Sequence, residues 1–179
     1  SEKQIVAGKI QGAEGKTVKL MAFDGEKWNP LSAFEVKSDG SFHLTASNEL
    51  LYCQILVDNN PGVPIPLSGN DSIYIEMSFP DMYENFTASN IPYASTLNEY
   101  TLMMKDFLTS QQPTIELIQK QDPNDTSSVN GLMRKIMTAK KPLEEFFHNK
   151  IYINAQMNLP FKMDYLTPET LGIDRLCNM

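Results

Sequence analysis

The chain has 179 residues, of which 41% are hydrophobic and 21% charged, and a formal charge of −7. That length holds one good core, or a small β unit with a helical annex, and the composition is that of a folded globular protein rather than a disordered one. The acidity disfavours a nucleic acid or an anionic membrane surface as partner, since neutralising phosphates takes clustered Lys and Arg, and no apolar run approaches the roughly 20 residues that span a bilayer.

From residue 3 to about 88 the dominant period is two. The runs "QIVAGKI", "KTVKLMAF", "LSAFEV", "SFHLTA", "ELLYCQILV", "VPIPL", "SIYIEM" and "NFTA" read as short strands. Turn chemistry separates them: "QGAEG", "FDGEKWNP", "KSDG", "VDNNPG" and "LSGND". Strands this short at such regular spacing predict an antiparallel β-sandwich, or an open barrel, of about seven or eight strands over residues 1–90. Pro61, Pro64 and Pro66 cannot donate ladder hydrogen bonds, so "VPIPL" is expected at an edge or in an extended loop. Asp39-Gly40 is a hairpin-type dipeptide, and behind it Phe42, Leu44 and Ala46 alternate with Ser41, His43 and Thr45. The stretch thus predicts a sandwich corner with an outward-facing His43.

The pattern then changes to a helical one. Tyr93, Leu97, Tyr100, Met104 and Phe107 share one stripe, with Ser95 or Thr96 as its cap and Gln111-Gln112-Pro113 as its end. A second short helix is expected over "TIELIQKQ". "DPNDTSS" then breaks the chain, and a third helix starts near Ser128 with Val129, Leu132, Met133, Ile136 and Met137 as its stripe. The stripe continues past Pro142 through Leu143, Phe146, Phe147 and Ile151, and Pro142 either kinks that helix or opens a fourth. Residues 91–156 therefore form a helical region of three or four helices, and 157–179 an irregular tail in which Thr167-Pro168-Glu169 resembles a helix start. The fold class is α+β.

Few of these residues suggest chemistry. Cys53 is in phase with Leu51, Ile55 and Val57 on an apolar strand and reads as a small core hydrophobe, while Cys177 lies near the end. Two cysteines so far apart make neither a disulfide framework nor a C-x-x-C pair. Glu145 and His148 have the three-residue spacing of a di-iron ligand pair. That site needs a second copy, and the only other histidine is His43, so a solvated helix pair is expected. Met103, Met104, Met133 and Met137 fall on the helical stripes and read as core filling rather than a soft-metal site. "LSGNDSIYIEM" lacks the glycine pattern and Lys of a P-loop, and no nucleophile elbow, H-E-x-x-H or paired Cys/His zinc spacing is present. No catalytic residue, cofactor site or metal site is therefore assigned. Asn85 and Asn124 open glycosylation sequons, which arise often by chance.

The order of the motifs is similar to a known family. A V-x-G-x-I strand (Val6, Gly8, Ile10) leads to "KTVKLMAF", then "SDGSFHL", "LYCQILVDN", "IPLSGNDSIYIEM" and "TASNIPYASTLNEYTLMMKDF". This resembles the N-terminal domain of unknown function that precedes the thioredoxin-like domain in extracytoplasmic thiol–disulfide oxidoreductases of Bacteroidetes (the AhpC/TSA family), over about residues 3–150. The resemblance implies an envelope or periplasmic protein, often lipid-anchored upstream of Ser1, with a sandwich followed by helices. Catalysis in that family belongs to the thioredoxin-like domain and its C-x-x-C, which this sequence lacks, so no catalytic residue carries over. "LTPETLGIDRLCNM" stands where relatives enter that domain, and a truncated form or a stand-alone relative is expected.

Two functions from different classes follow. One is a non-catalytic accessory or interaction domain of the cell envelope, whose partner is a thioredoxin-like domain or another envelope protein. Trp28 and Tyr83 would be its exposed contact residues, set against simple packing at a sandwich edge. The other is a carrier or binding protein for a small apolar ligand or glycan, with a cavity lined by Met and Phe between sheet and helices. An enzyme using Glu145 and His148 would take up metal.

Overall fold

A computed structural model describes residues 3–69, 72–90, 93–152 and 163–171. Eight strands run in chain order: β1 (Gln4–Gln11), β2 (Thr17–Phe23), β3 (Trp28–Glu35), β4 (Ser41–Ala46), β5 (Leu50–Val57), β6 (Asn60–Ser68), β7 (Ser72–Ser78) and β8 (Thr87–Ser89). They form two four-stranded sheets, β4-β1-β7-β8 (sheet A) and β3-β2-β5-β6 (sheet B). Each of the eight period-two runs overlaps a strand, and residues 28–30 and 60–62, read as turn, belong to β3 and β6.

The two sheets face each other because alternate residues on both are apolar. Val6, Ile10, Phe42, Leu44, Ile73 and Ile75 of sheet A meet Val18, Leu20, Cys53, Ile55, Ile65 and Leu67 of sheet B in one buried cluster. Every strand pair is antiparallel except β1–β7, which runs parallel. That pair departs from the all-antiparallel expectation. It joins strands far apart in the chain, so no turn signal could announce it. Gly8 makes it possible: a Cβ there would lie 1.7 Å from the backbone oxygen of Ile75, so only glycine lets β7 close on β1. Proline placement follows its missing N–H. Pro61, Pro64 and Pro66 lie in edge strand β6, and Pro30 in edge strand β3 beside a register shift.

Two turns show how the sequence steers within a sheet and between sheets. Asp58 and Asn59 both have positive φ and form a two-residue hairpin loop between β5 and β6. At the other turn, Gly40 (φ +84°) donates its N–H to the Lys37 carbonyl at 2.9 Å, and Asp39 Oδ1 accepts from Ser41 N and Oγ at 3.0 and 2.6 Å. The strands flanking this second turn belong to different sheets. The Asp-Gly pair is therefore a corner and not a hairpin, and His43 beyond it is exposed.

Two α-helices follow, α1 (Ala94–Lys120) and α2 (Thr126–Phe146), continued by a π-helical turn over Phe147–Tyr152 and a 3-10 turn at Met163–Tyr165. The expectation of three or four helices is corrected to two among the described residues. Pro113 and Pro142 both lie inside helices rather than ending them. Each removes one backbone hydrogen bond, but α1 and α2 pack along each other, and that contact carries the helices through. Neither Ser95 nor Thr96 caps α1. Tyr93 occupies the cap position without a side-chain bond, whereas Asp125 caps α2 by accepting from Ser128 N at 3.2 Å.

The start of α1, the end of α2 and the turns that follow pack on part of the outer face of sheet B. Leu97, Tyr100, Leu143, Ile151 and Leu171 pack around Tyr52, with Phe23 and Trp28 beside them. The molecule thus has three layers: sheet A, sheet B and helices. No described helix is long and apolar enough to cross a membrane.

Candidate functional site

Most of the residues singled out in the sequence have structural work. Tyr83 is 2% exposed, which corrects its expected place on the surface. The segment after β7 folds inward, so its ring packs with Val63 and its hydroxyl donates to the Leu171 carbonyl at 2.6 Å. Gln54 Nε2 donates back to that hydroxyl and to the Gly62 carbonyl, both at 3.3 Å. Burial pushes the Tyr83 phenol well above its usual range. Trp28 is half-buried in an aromatic group, 5.2 Å from Phe23 and 6.1 Å from Tyr52, with Tyr165 closing the group 5.0 Å from Phe23. Tyr83 is thus taken up by packing, while Trp28 keeps part of its ring at the surface.

Cys53 is fully buried, and burial pushes its thiol up to about 12, so no thiolate forms there near neutral pH. Cys177 lies outside the described residues, as do Asn70 and Asp71 of the Gly-Asn-Asp turn. Glu145 and His148 are exposed, and His148 stacks on Tyr152 at 5.4 Å. Among the described residues no three His, Cys, Asp or Glu side chains are placed to hold a metal ion. Met103 and Met104 join the helical cluster, but Met133 and Met137 do not: they are 42% and 66% exposed, against the core role read for them.

What remains is the outer face of sheet A, on the side away from the helices. Register places its outward residues in rungs across the strands. One rung is Ser41, Lys9, Glu76 and Thr87; the next is His43, Ala7, Tyr74 and Ser89. In the second rung small Ala7 separates His43 from Tyr74, whose strands lie about 10 Å apart across β1. The result is a shallow trough floored by Ala7 and walled by an imidazole and a 45%-exposed phenol ring. The Tyr74 hydroxyl donates to Glu76 Oε1 at 3.3 Å. Desolvation and the Glu76 charge raise that phenol above its ordinary value.

The first rung opens into a cleft of about 520 Å³ at the end of the sheet. Lys9, Glu76 and Thr87 come from the strands, Glu14 and Asp39 from the adjoining turns, and Asn85 from the approach to β8. Glu14 Oε1 accepts from Gly12 N at 3.3 Å. The two hydrogen bonds from Ser41, with Lys9 and Lys37 nearby, hold the Asp39 carboxyl below its usual range. Three carboxylates against Lys9 as the cation of the lining make the cleft a poor receptor for an anion and a good acceptor surface for hydroxyl donors. The amide of Asn85 and the hydroxyl of Thr87 add donors.

Sequence reasoning passed over Lys9, Tyr74 and Glu76, and met Asn85 only as the start of a sequon. The signal of the first three was faint: each is an outward residue on its own strand, unremarkable until the order β4-β1-β7-β8 sets them side by side. Compared with family models and with curated proteins, the chain matches none.

Proposed function

We propose that this chain is a non-catalytic binding module of the cell envelope that holds an oligosaccharide on the outer face of sheet A. What supports the reading is the adjacency of two rungs on one face: His43, Ala7 and Tyr74 lie next to Lys9 and Glu76, which line the cleft. A sugar ring offers an apolar C–H face and a rim of hydroxyls that both donate and accept. The trough presents one aromatic face to the former, and the cleft presents carboxylates, an amide and a hydroxyl to the latter. Such sites are chosen by a few placed polar groups beside apolar surface. The apolar-carrier reading is less well supported, because Met103, Met104, Phe107, Phe146 and Phe147 pack with Leu97 and Tyr100 in the helical layer.

The envelope location and a thioredoxin-like domain as companion rest on the order of motifs shared with the family named above. The non-catalytic reading rests on that same resemblance, in which catalysis belongs to a C-x-x-C, and Cys53 is buried and protonated.

The test is an NMR titration of the amide spectrum with a panel of neutral and N-acetylated oligosaccharides. Shifts are expected at Lys9, His43, Tyr74 and Glu76. Tyr74→Ala is expected to weaken binding about tenfold, the worth of one stacked ring and one hydrogen bond. If no oligosaccharide perturbs this face, or Tyr74→Ala binds as well as the parent, the reading is wrong.

A further inference from the structure

The helical layer carries a second uncovered surface. In α2 the buried side is Leu143, with Val129, Leu132, Ile136 and Ala139 half-buried on the same side. At 100° per residue, Met133 and Met137 stand next to one another on the outward side. Lys140, Lys141 and Arg134 fall within the same sector of about 120°, together with Glu144. All six are exposed. Residues 126–143 contain Arg134, Lys135, Lys140 and Lys141 and no acid. Taking those four positive charges from the formal −7 leaves −11 on the rest of the chain. Three cations thus stand beside two exposed methionines, with Glu144 as the acid among them. With the described residues, Arg134, Lys135 and Lys141 form no ion pair, and Lys140 reaches Glu144 only at 3.9 Å.

From this we infer that the outward face of α2 docks an acidic amphipathic segment of another protein, its apolar residues seated on Met133 and Met137 and its carboxylates on Arg134, Lys140 and Lys141. Methionine is unbranched and polarizable, which suits a surface that must fit a mobile apolar anchor. The ring of cations selects acidic partners and speeds their encounter. A lipid surface fits less well. An interfacial helix needs a broad apolar face with Trp, Phe or Leu, and here the broad apolar side of α2 is turned to α1. A second copy paired symmetrically through this face would bring an equally basic surface against it.

The probe is a synthetic helical peptide with a Leu stripe flanked by Glu, labelled for fluorescence anisotropy. Two further peptides serve as comparisons, one with every Glu replaced by Lys and one with every Leu replaced by Ser. The acidic peptide is expected to bind the whole protein, with affinity falling at least about fivefold between 20 and 200 mM salt. Met137→Asp and the pair Lys140→Glu with Lys141→Glu should each weaken it at least about tenfold. Amide shifts in the unsubstituted protein should centre on residues 129–141, which keeps the test valid if a variant fails to fold. Equal binding of the Lys peptide, undiminished binding of the Ser peptide, or shifts elsewhere would overturn the inference. So would tighter binding to phosphatidylglycerol vesicles than to the peptide, or self-association through this face in sedimentation.

Discussion

Tyr83→Phe isolates the one hydroxyl that ties three separated parts of the chain together. It donates to Leu171 O at 2.6 Å and receives Gln54 Nε2 at 3.3 Å, while the ring itself stays packed against Val63. Removing the oxygen leaves Gln54 its second acceptor, the Gly62 carbonyl, so the amide is not orphaned. The Leu171 carbonyl loses this buried donor. One net hydrogen bond with partial desolvation of a carbonyl is worth about 1–3 kcal/mol. At this chain length each kcal/mol moves the midpoint by roughly 2–4 °C, so Tm should fall by about 2–12 °C. Thermal and urea unfolding followed by circular dichroism measure it, and hydrogen exchange should quicken at residues 165–171 beyond the global change. The pH dependence gives a second signature. Burial raises the Tyr83 phenol above the unfolded value of 10.0, so its contribution is present below about pH 10 and is lost as pH rises further. Tyr83→Phe should shrink that alkaline loss. An unchanged midpoint together with unchanged exchange at residues 165–171 would show that the hydroxyl does not anchor this segment.

Gly8→Ala should cost about 3 kcal/mol or more, because the new Cβ meets the Ile75 backbone and not a movable side chain; a variant with parental Tm would contradict the β1–β7 pairing. In a Cys177→Ser background, the Cys53 thiol should resist a thiol reagent at pH 8 until the protein is unfolded, and prompt labelling would refute its burial. Asp24 Oδ1 accepts from Glu26 N and Lys27 N and its Oδ2 from Asn29 Nδ2, all at 2.9 Å, which holds its carboxyl at about 2. Its contribution to stability is therefore present above the unfolded value of 3.8 and lost as pH falls toward 2; Asp24→Asn should flatten the acid arm of a stability–pH curve, and an unaltered arm would remove the turn from the account.

The strands were legible because each is a local fact. Alternation of Val6, Gly8 and Ile10 against Ala7 and Lys9, or of Phe42 and Leu44 against His43, is set by burial on one face and needs no partner to be read. Pro61, Pro64 and Pro66 likewise declared an edge by what they cannot donate. The helical region was read less well, since prolines were taken as breaks. Whether Pro113 ends a helix depends on what packs either side of it, and α2 supplies that packing from a distance in sequence. Met133 and Met137 were misplaced for a related reason. A helical stripe marks residues that share a side, but not how wide a side is covered, and α1 covers only the part around Leu132, Ile136 and Leu143. The candidate site was the least legible of all. Lys9, Tyr74 and Glu76 become neighbours through the parallel β1–β7 pair, and no local pattern encodes that crossover.

Layer order gives the two proposed surfaces their relationship. The helices lie on the outer face of sheet B, so sheet A turns its rungs to the opposite side of the molecule. A ligand in the Ala7 trough and a segment on Met133 and Met137 are therefore separated by the whole sandwich core. That core is close-packed, and the described contacts give it no second arrangement through which one site would bias the other. The sites also differ in charge, with carboxylates gathered at the sheet A cleft and cations on α2, so an acidic segment drawn to α2 is repelled by the cleft. A domain built this way suits a tether, one face holding a glycan while the other holds an acidic protein. The chemistry of the assembly would then belong to the partner, consistent with a chain whose own thiol at Cys53 is locked in the core.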